Sequence, residues 1–347
     1  MAKRTLKDLA DELKKCGLEG RAVGVHSNLT SIGLVADTPV SAAEEKRGLN
    51  PIARTVISAF MEAVGPQGTF FVPTHSCNFI GHYAPHQLKV NIEKDEAGTV
   101  IKRTLIDDGY YNKFTSPSLV GALTQSVIWA DGALRSAHPS HSIAAIGKEA
   151  EYLVRGHDPF AQPVGIHNAF NKIVGLDGVV LFIGDTLKSN TTFHAYETMM
   201  LPDAAEYFAG TVAVEWNGLK RMFNQTWVPH LHRDFYDEHK RRTRAITAMR
   251  NSGLMKEGTL GRGAVYYFNA KDMAKYFAEK VYPSEPDILF CNTPDTCGTG
   301  YDCRNSVEIL RHLYAKKDGK WDSEKIKSRM DKEFLGFLKP GVQRVTY

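Results

Sequence analysis

The chain has 347 residues, 43% hydrophobic and 24% charged, with a net charge of +4, the makeup of a soluble globular protein able to bury a sizeable core. No run approaches the roughly 18 apolar residues of a membrane span. The basic surplus is too slight for a nucleic-acid surface, though it is compatible with an anionic small ligand.

Taken in chain order, the sequence alternates strand and helix signals. Thr5 opens a helix whose apolar stripe is Leu6, Leu9, Ala10 and Leu13. Ala22 to His26 reads as a buried strand running into the polar turn Ser27-Asn28-Leu29-Thr30-Ser31. Asp37 to Asn50 predicts a loop, Ile52 to Met61 an amphipathic helix, and Gly68 to Val72 a second buried strand. Residues 77–117 show little period and predict a long excursion, a common place for binding sites. Helices are expected at Leu119–Trp129, Lys148–Arg155 and Ala169–Val174, with the apolar run Ile143 to Ile146 between the first two. Val179 to Ile183 is a fully apolar strand ending at Gly184, and Asn190 or Thr191 can cap the helix after it. Asn217-Gly218, flanked by Gly210–Trp216 and Leu219–Trp227, is the strongest hairpin signal in the chain. Asp234 to Arg250 reads as an exposed helix, and the tail from about Pro283 is first cysteine-bearing, then charged and helical. The expectation is an α/β fold, a layered α/β/α sandwich with a mixed sheet and an added antiparallel hairpin. One domain is drawn over 1–282 and an extension over 283–347. The N-terminus lacks the apolar core of a signal peptide and the odd cysteine count argues against a disulfide framework, so a cytoplasmic location is expected.

Three segments carry chemistry. His194 and Glu197 fall one turn apart on the helix after the apolar strand, at the end where open α/β sheets place their sites. A carboxylate there can orient the ring and stabilise imidazolium, which makes the histidine a competent general base. A hydrogen-bonded helix histidine beside a solvated glutamate gives the same spacing. His26 to Ser31 offers hydroxyls and backbone N–H groups at a strand end, able to hold phosphate or amide oxygens, or to satisfy the turn's own backbone. In Arg135-Ser136-Ala137-His138-Pro139-Ser140-His141-Ser142 the proline fixes a turn. Ser136 and Ser142 offer hydroxyls and Arg135 a charge for phosphate, while either histidine reads equally as a core residue. His167 is a polar residue just before a helix.

In order, Val25–Gly33, Gly65–Ser76, Arg135–Gly147, Leu176–Gly184 and Asn190–Glu197 resemble the antibiotic N-acetyltransferase family, best known for the aminoglycoside 3-N-acetyltransferases. The resemblance runs from about residue 5 to about residue 280. It implies an acetyl-CoA-dependent acyltransferase, a small-molecule amine as acceptor, His194 as base with Glu197 beside it, and a homodimer. It places His26, Ser27, Asn28, Ser31, Thr74, Arg135, Ser136 and Ser142 around acetyl-CoA, and His167 and Asp234 near the acceptor. Acceptor elements are expected mainly in 77–117 and 200–250. Asn28 departs from the family's second serine. The run Gln225 to Arg233 also lacks the carboxylates some relatives carry there, which favours an acceptor with few ammonium groups.

Cys291, Cys297 and Cys303, evenly spaced in a Gly/Pro-rich stretch, suggest a structural zinc site with His230 or His232 as fourth ligand. Free cytosolic thiols are the plainer reading. Two alternatives to acetyl transfer stay open: a zinc-dependent hydrolase using the many histidines, and a non-catalytic CoA-binding relative. No nucleic-acid or membrane partner is expected.

Overall fold

Strand residues in this chain alternate between two apolar layers, and that alternation builds the molecule. The computed structural model describes residues 3–36, 50–76, 88–94, 100–107, 111–205, 208–227, 243–289, 300–341 and 344–345. The helices are α1 (Leu6–Lys14), α2 (Pro51–Val64), α3 (Ala122–Ile128), α4 (Ala150–Val154), α5 (Ala169–Gly175), α6 (Thr191–Met200), α7 (Pro202–Ala205), α8 (Thr243–Asn251), α9 (Ala270–Tyr276), α10 (Gly300–Tyr314), α11 (Ser323–Arg329) and α12 (Lys332–Phe337). The strands are β1 (Ala22–Ser27), β2 (Thr69–Pro73), β3 (Leu88–Lys94), β4 (Val100–Asp107), β5 (Leu134–Arg135), β6 (Ile143–Gly147), β7 (Val179–Ile183), β8 (Phe208–Trp216), β9 (Leu219–Trp227), β10 (Lys256–Leu260) and β11 (Gly263–Asn269).

Seven strands form one sheet in the order β10-β11-β7-β1-β2-β6-β5. Only β7-β1-β2 are parallel; β11, β6 and their outer neighbours run antiparallel. Val23, Val25, Phe70, Val72, Leu181 and Ile183 point to one face, where α1, α2 and α3 add Leu9, Leu13, Val56, Phe60 and Leu123. Phe71, Val180, Phe182 and Phe268 point to the other, packing on α5, α6 and α9 through Phe170, Ile173, Phe193, Tyr196 and Met273. This is the expected three-layer sandwich with a mixed sheet. The chain crosses from β1 to β2 on one side, while β7 returns to the other side of β1. That reversal is a topological switch point, and open α/β sheets place their ligand sites at the carboxyl ends of such strands, here β1 and β7.

The Asn217-Gly218 turn closes the β8–β9 hairpin with both residues at positive φ (51° and 75°), as a primed turn requires. A second hairpin, β3–β4, lies inside the stretch expected to be aperiodic. Its strands do alternate, as Lys89-Val90-Asn91-Ile92-Glu93 shows, but they are joined by no recognisable turn dipeptide. The β10–β11 pair on the sheet edge was also not foreseen. Beyond the expected boundary at 282, Leu310, Tyr314, Ile326, Phe334 and Phe337 pack into the same core as Phe193 and Tyr196 of α6. Asp331 N–H donates to the Met199 carbonyl at 2.8 Å, and an Arg329–Asp203 ion pair at 2.7 Å ties α11 to α7. No described helix is long and apolar enough to cross a membrane.

Candidate active site

At the carboxyl end of β1 the chain turns outward through a short 3-10 segment, Leu29–Ile32. Asn28 caps it, its Oδ1 accepting the Thr30 amide at 3.2 Å and the Thr30 hydroxyl at 2.6 Å. An amide side chain reaches that N–H from the cap position, so Asn28 closes the turn locally. Asn28 and Thr30 are exposed, and Ser27 and Ser31 are half-buried. Ser31 donates its hydroxyl to the Asn28 carbonyl at 2.7 Å and sits against Gly184 at the end of β7. A Cβ on Gly184, whose φ is +69°, would lie 2.6 Å from the Ser31 Oγ, so only glycine lets the two strand ends meet.

From Gly184 the chain enters α6. Asn190 caps it, Oδ1 accepting the Thr192 amide at 3.0 Å, and all ten helix residues are buried. The Nδ1 of His194 lies 3.8 Å from Glu197 Oε2. His194 keeps 9% exposure while Glu197 has none, so the imidazole is the member of the pair a solute can reach. Thr198 donates to the His194 carbonyl at 2.9 Å and Tyr282 to the Phe193 carbonyl at 3.2 Å, fixing the backbone on either side. His26, on β1, points to the same layer: its ring stacks between Phe170 (5.0 Å) and Phe182 (5.2 Å), and its Nε2 accepts the Thr191 amide at 3.3 Å.

The second serine-rich turn reaches the same edge of the sheet, because β6 is antiparallel to β2 and Thr74 N–H donates to the Ser142 carbonyl at 2.8 Å. Its side chains turn inward. Arg135 is 8% exposed; its guanidinium donates to the Thr74 carbonyl (3.1 Å), Ser76 Oγ (3.1 Å), Ser142 Oγ (3.1 Å) and the Ser116 carbonyl, over the Tyr111 ring. No carboxylate is among these described partners; carbonyl and hydroxyl oxygens share the charge. Ser142 donates to the Thr74 carbonyl at 2.9 Å and meets the Thr74 hydroxyl at 2.9 Å. Ser136 accepts the Ile143 amide at 2.9 Å and donates to His157 Nδ1 at 3.1 Å, since His157 Nε2 donates to the Pro163 carbonyl at 2.9 Å. His138 Nδ1 accepts the His141 amide at 3.1 Å, and its ring stacks on His157 at 4.6 Å. Burial holds these rings neutral: His138 is pushed down to about 3, His75, 4.6 Å from His141, to about 4, and His157 well below its ordinary range.

The candidate residues therefore divide. Ser27, Asn28 and Ser31 line the open end of β1 beside the helix that carries His194 and Glu197. Thr74, Arg135, Ser136 and Ser142 are near that edge, but their polar atoms are committed to one another and to the backbone, and Arg135 offers no free charge at the surface. His167 is half-buried before α5, its pKa lowered by burial and by Lys172. Asp234, His230, Cys291 and Cys297 lie outside the described residues, as does the side chain of Cys303 on α10. Among the described residues, no group of three His, Cys, Asp or Glu is placed to hold a metal. Reading the sequence missed His157 and Lys172. Lys172 caps the last turn of α4, its Nζ donating to the carbonyls of Tyr152 (2.8 Å) and Arg155 (2.5 Å), and burial pushes it down to about 7. A lysine within Ala169-Phe170-Asn171-Lys172-Ile173-Val174 was its only signal.

Residues 25–281 match the family model described as aminoglycoside 3-N-acetyltransferase. A curated relative, the aminoglycoside N(3)-acetyltransferase III of Salmonella sp, is 27% identical over 308 residues, covering 82% of this chain and 94% of the relative. Aminoglycoside acetyltransferase AAC(3)-IVa, as a mutant in complex with a gentamicin, superposes with a TM-score of 0.65 at 20% identity, covering 88% of this chain and 98% of that one. AAC-IIIb in binary complex with CoASH gives 0.55 at 21%, covering 79% and 95%.

Proposed function

The chain belongs to the aminoglycoside 3-N-acetyltransferase family, an acyltransferase family, and on that premise we propose that it moves an acetyl group from acetyl-CoA to an amine of an aminoglycoside or amino-sugar-like molecule. The observation that carries this reading is the His194–Glu197 pair, 3.8 Å apart on a wholly buried helix at the switch point of the sheet. The neutral amine attacks the thioester carbonyl, the C–N bond forms, and the His194 imidazole accepts the proton the nitrogen sheds. Glu197 stabilises the resulting imidazolium. The tetrahedral adduct then breaks its C–S bond, and CoA leaves as thiolate to recover a proton from solvent or the imidazolium. No enzyme nucleophile is needed, because the amine attacks the acetyl group directly.

The Ser27 to Ser31 turn, with Asn28 and Thr30 at the surface, is the better place for the pantetheine and phosphates of the donor than the enclosed Arg135–Ser142 turn. Gentamicin and CoASH sit in the complexes of similar proteins, and their chemistry fits these two roles. The acid-poor run from Gln225 to Arg233 favours an acceptor with few ammonium groups. The test is thiol release from acetyl-CoA with gentamicin-like compounds and single amino sugars as acceptors, using wild type and His194→Ala. The expected result is acceptor-dependent release that falls by roughly 10²–10⁴-fold in the variant with acetyl-CoA binding retained. Full turnover by His194→Ala overturns the base; absence of release with every amine overturns the reaction.

A further inference from the structure

We propose that His26 is a positioning residue: it holds the first turn of α6, and through it the His194 ring, in register with the crevice. The inference rests on the reading of His194 as the base. The first amides of a helix have no partner within it, and on a surface helix water takes them. Here the helix is buried throughout, so each must be met by protein. Asn190 meets two, its Oδ1 accepting Thr192 N–H at 3.0 Å and its carbonyl accepting Phe193 N–H at 3.3 Å. The remaining one, on Thr191, donates to His26 Nε2 at 3.3 Å.

The acceptor is rigidly held. Its backbone lies on β1 opposite Phe182 of β7, and its ring is stacked between Phe182, interplanar angle 7°, and Phe170 of α5, interplanar angle 22°. It is 4% exposed. The strand at the switch point, its neighbour and the helix before it thus fix the nitrogen on which α6 begins. His194 lies three residues past Thr191, so both fall on one face, and a tilt of the first turn moves the ring. A misplacement of about 1 Å is enough to cost up to roughly 10² in rate.

The two ends of the bond can be removed separately. His26→Phe keeps an aromatic ring between Phe170 and Phe182 but has no acceptor. Thr191→Pro removes the donor at the first helical position, where proline is well tolerated and the preceding Asn190 is already extended. His26→Gln restores an acceptor near Nε2. The expectation is that His26→Phe and Thr191→Pro each lower kcat by roughly 10–100-fold while the KM for acetyl-CoA stays within about threefold. Their combination should be no worse than the worse single variant, and His26→Gln should recover most of the loss. Unchanged kcat in both single variants, fully additive losses, or no recovery in His26→Gln overturns the proposal. If His26→Phe fails to fold, Thr191→Pro and His26→Gln still decide it. His194→Ala, assayed alongside, separates the two ideas: its full activity sinks the base, whereas its loss with unaffected His26 and Thr191 variants sinks only the positioning.

Discussion

Two polar turns meet at one edge of the central sheet, and they are built for opposite purposes. The Ser27–Ser31 turn keeps Asn28 and Thr30 at the surface, and the bonds of its Asn28, Thr30 and Ser31 side chains stay within the turn. The Arg135–Ser142 turn encloses an arginine, three serines and two histidines in a closed lattice that includes Thr74, Ser76 and His157. Both have the composition of a ligand-binding turn. What separates them is whether partners from other segments enclose their side chains, and that depends on β6 running antiparallel to β2. Polar residues at a strand end nominate a site only once their partners are known.

The sharpest way to break this contrast is Arg135→Leu. It removes the guanidinium donors to the carbonyls of Thr74 and Ser116 and to the hydroxyls of Ser76 and Ser142, and should destabilise the fold by about 3–5 kcal/mol. Urea unfolding reads it; a stable variant with weakened CoA binding would instead put Arg135 at the ligand.

The imidazoles come next. His138 is held near 3 and His75 near 4, against 6.5 for an unhindered ring. Between those values the unfolded chain binds the protons and the folded chain does not, so stability is intact above pH 6.5 and falls as pH drops towards 4. By linkage each ring should cost roughly 2–3 kcal/mol at pH 4.5. His138→Asn keeps an acceptor for the Ser140 and His141 amides, and should flatten that acid limb in thermal scans. An unchanged limb would mean the cluster is open to water.

Lys172 gives a smaller effect in the opposite range. Its folded value of about 7 lies below the 10.5 of a free lysine. The unfolded chain therefore holds the extra proton between pH 7 and 10.5, and stability rises with pH across that window. Relative to Lys172→Met, wild type should gain about 2 kcal/mol from pH 7 to pH 9. A parallel pH dependence in the two proteins would show the amine to be solvated. Smallest in stability is the open turn: Ser27→Ala with Thr30→Ala should leave the midpoint nearly unchanged while raising the acetyl-CoA KM by roughly 3–10-fold. An unaffected KM would move the donor elsewhere.

The parallel strands were legible in the sequence because burial on both faces makes them continuous apolar runs, as in Val179 to Ile183, and Asn217-Gly218 named its hairpin outright. The pair His194 and Glu197 was legible through helical spacing. The closed lattice was not, because an Arg donating to carbonyls far away in sequence looks the same as one awaiting a phosphate. Nor was the β3–β4 hairpin, whose turn carries no Asn-Gly or Asp-Gly to punctuate it. The resemblance implies a donor contact for His26; its bond to Thr191, 165 positions later, is a product of the β1–β7 pairing that no local pattern announces.

The packing of α11 and α12 against α6 has a consequence for how the protein is made. The Phe334 ring packs tilted against Tyr196, and the Met199 carbonyl accepts the Asp331 amide. During synthesis, the helix bearing His194 leaves the ribosome more than a hundred residues before these partners do. At roughly 5–20 residues per second it spends several seconds half-covered, its apolar flank open to chaperones or to other nascent chains. The cover of α6 is therefore completed late, when the last helices dock, and a chain halted near residue 281 would carry the whole family-matched segment without Phe334 and the Asp331 amide.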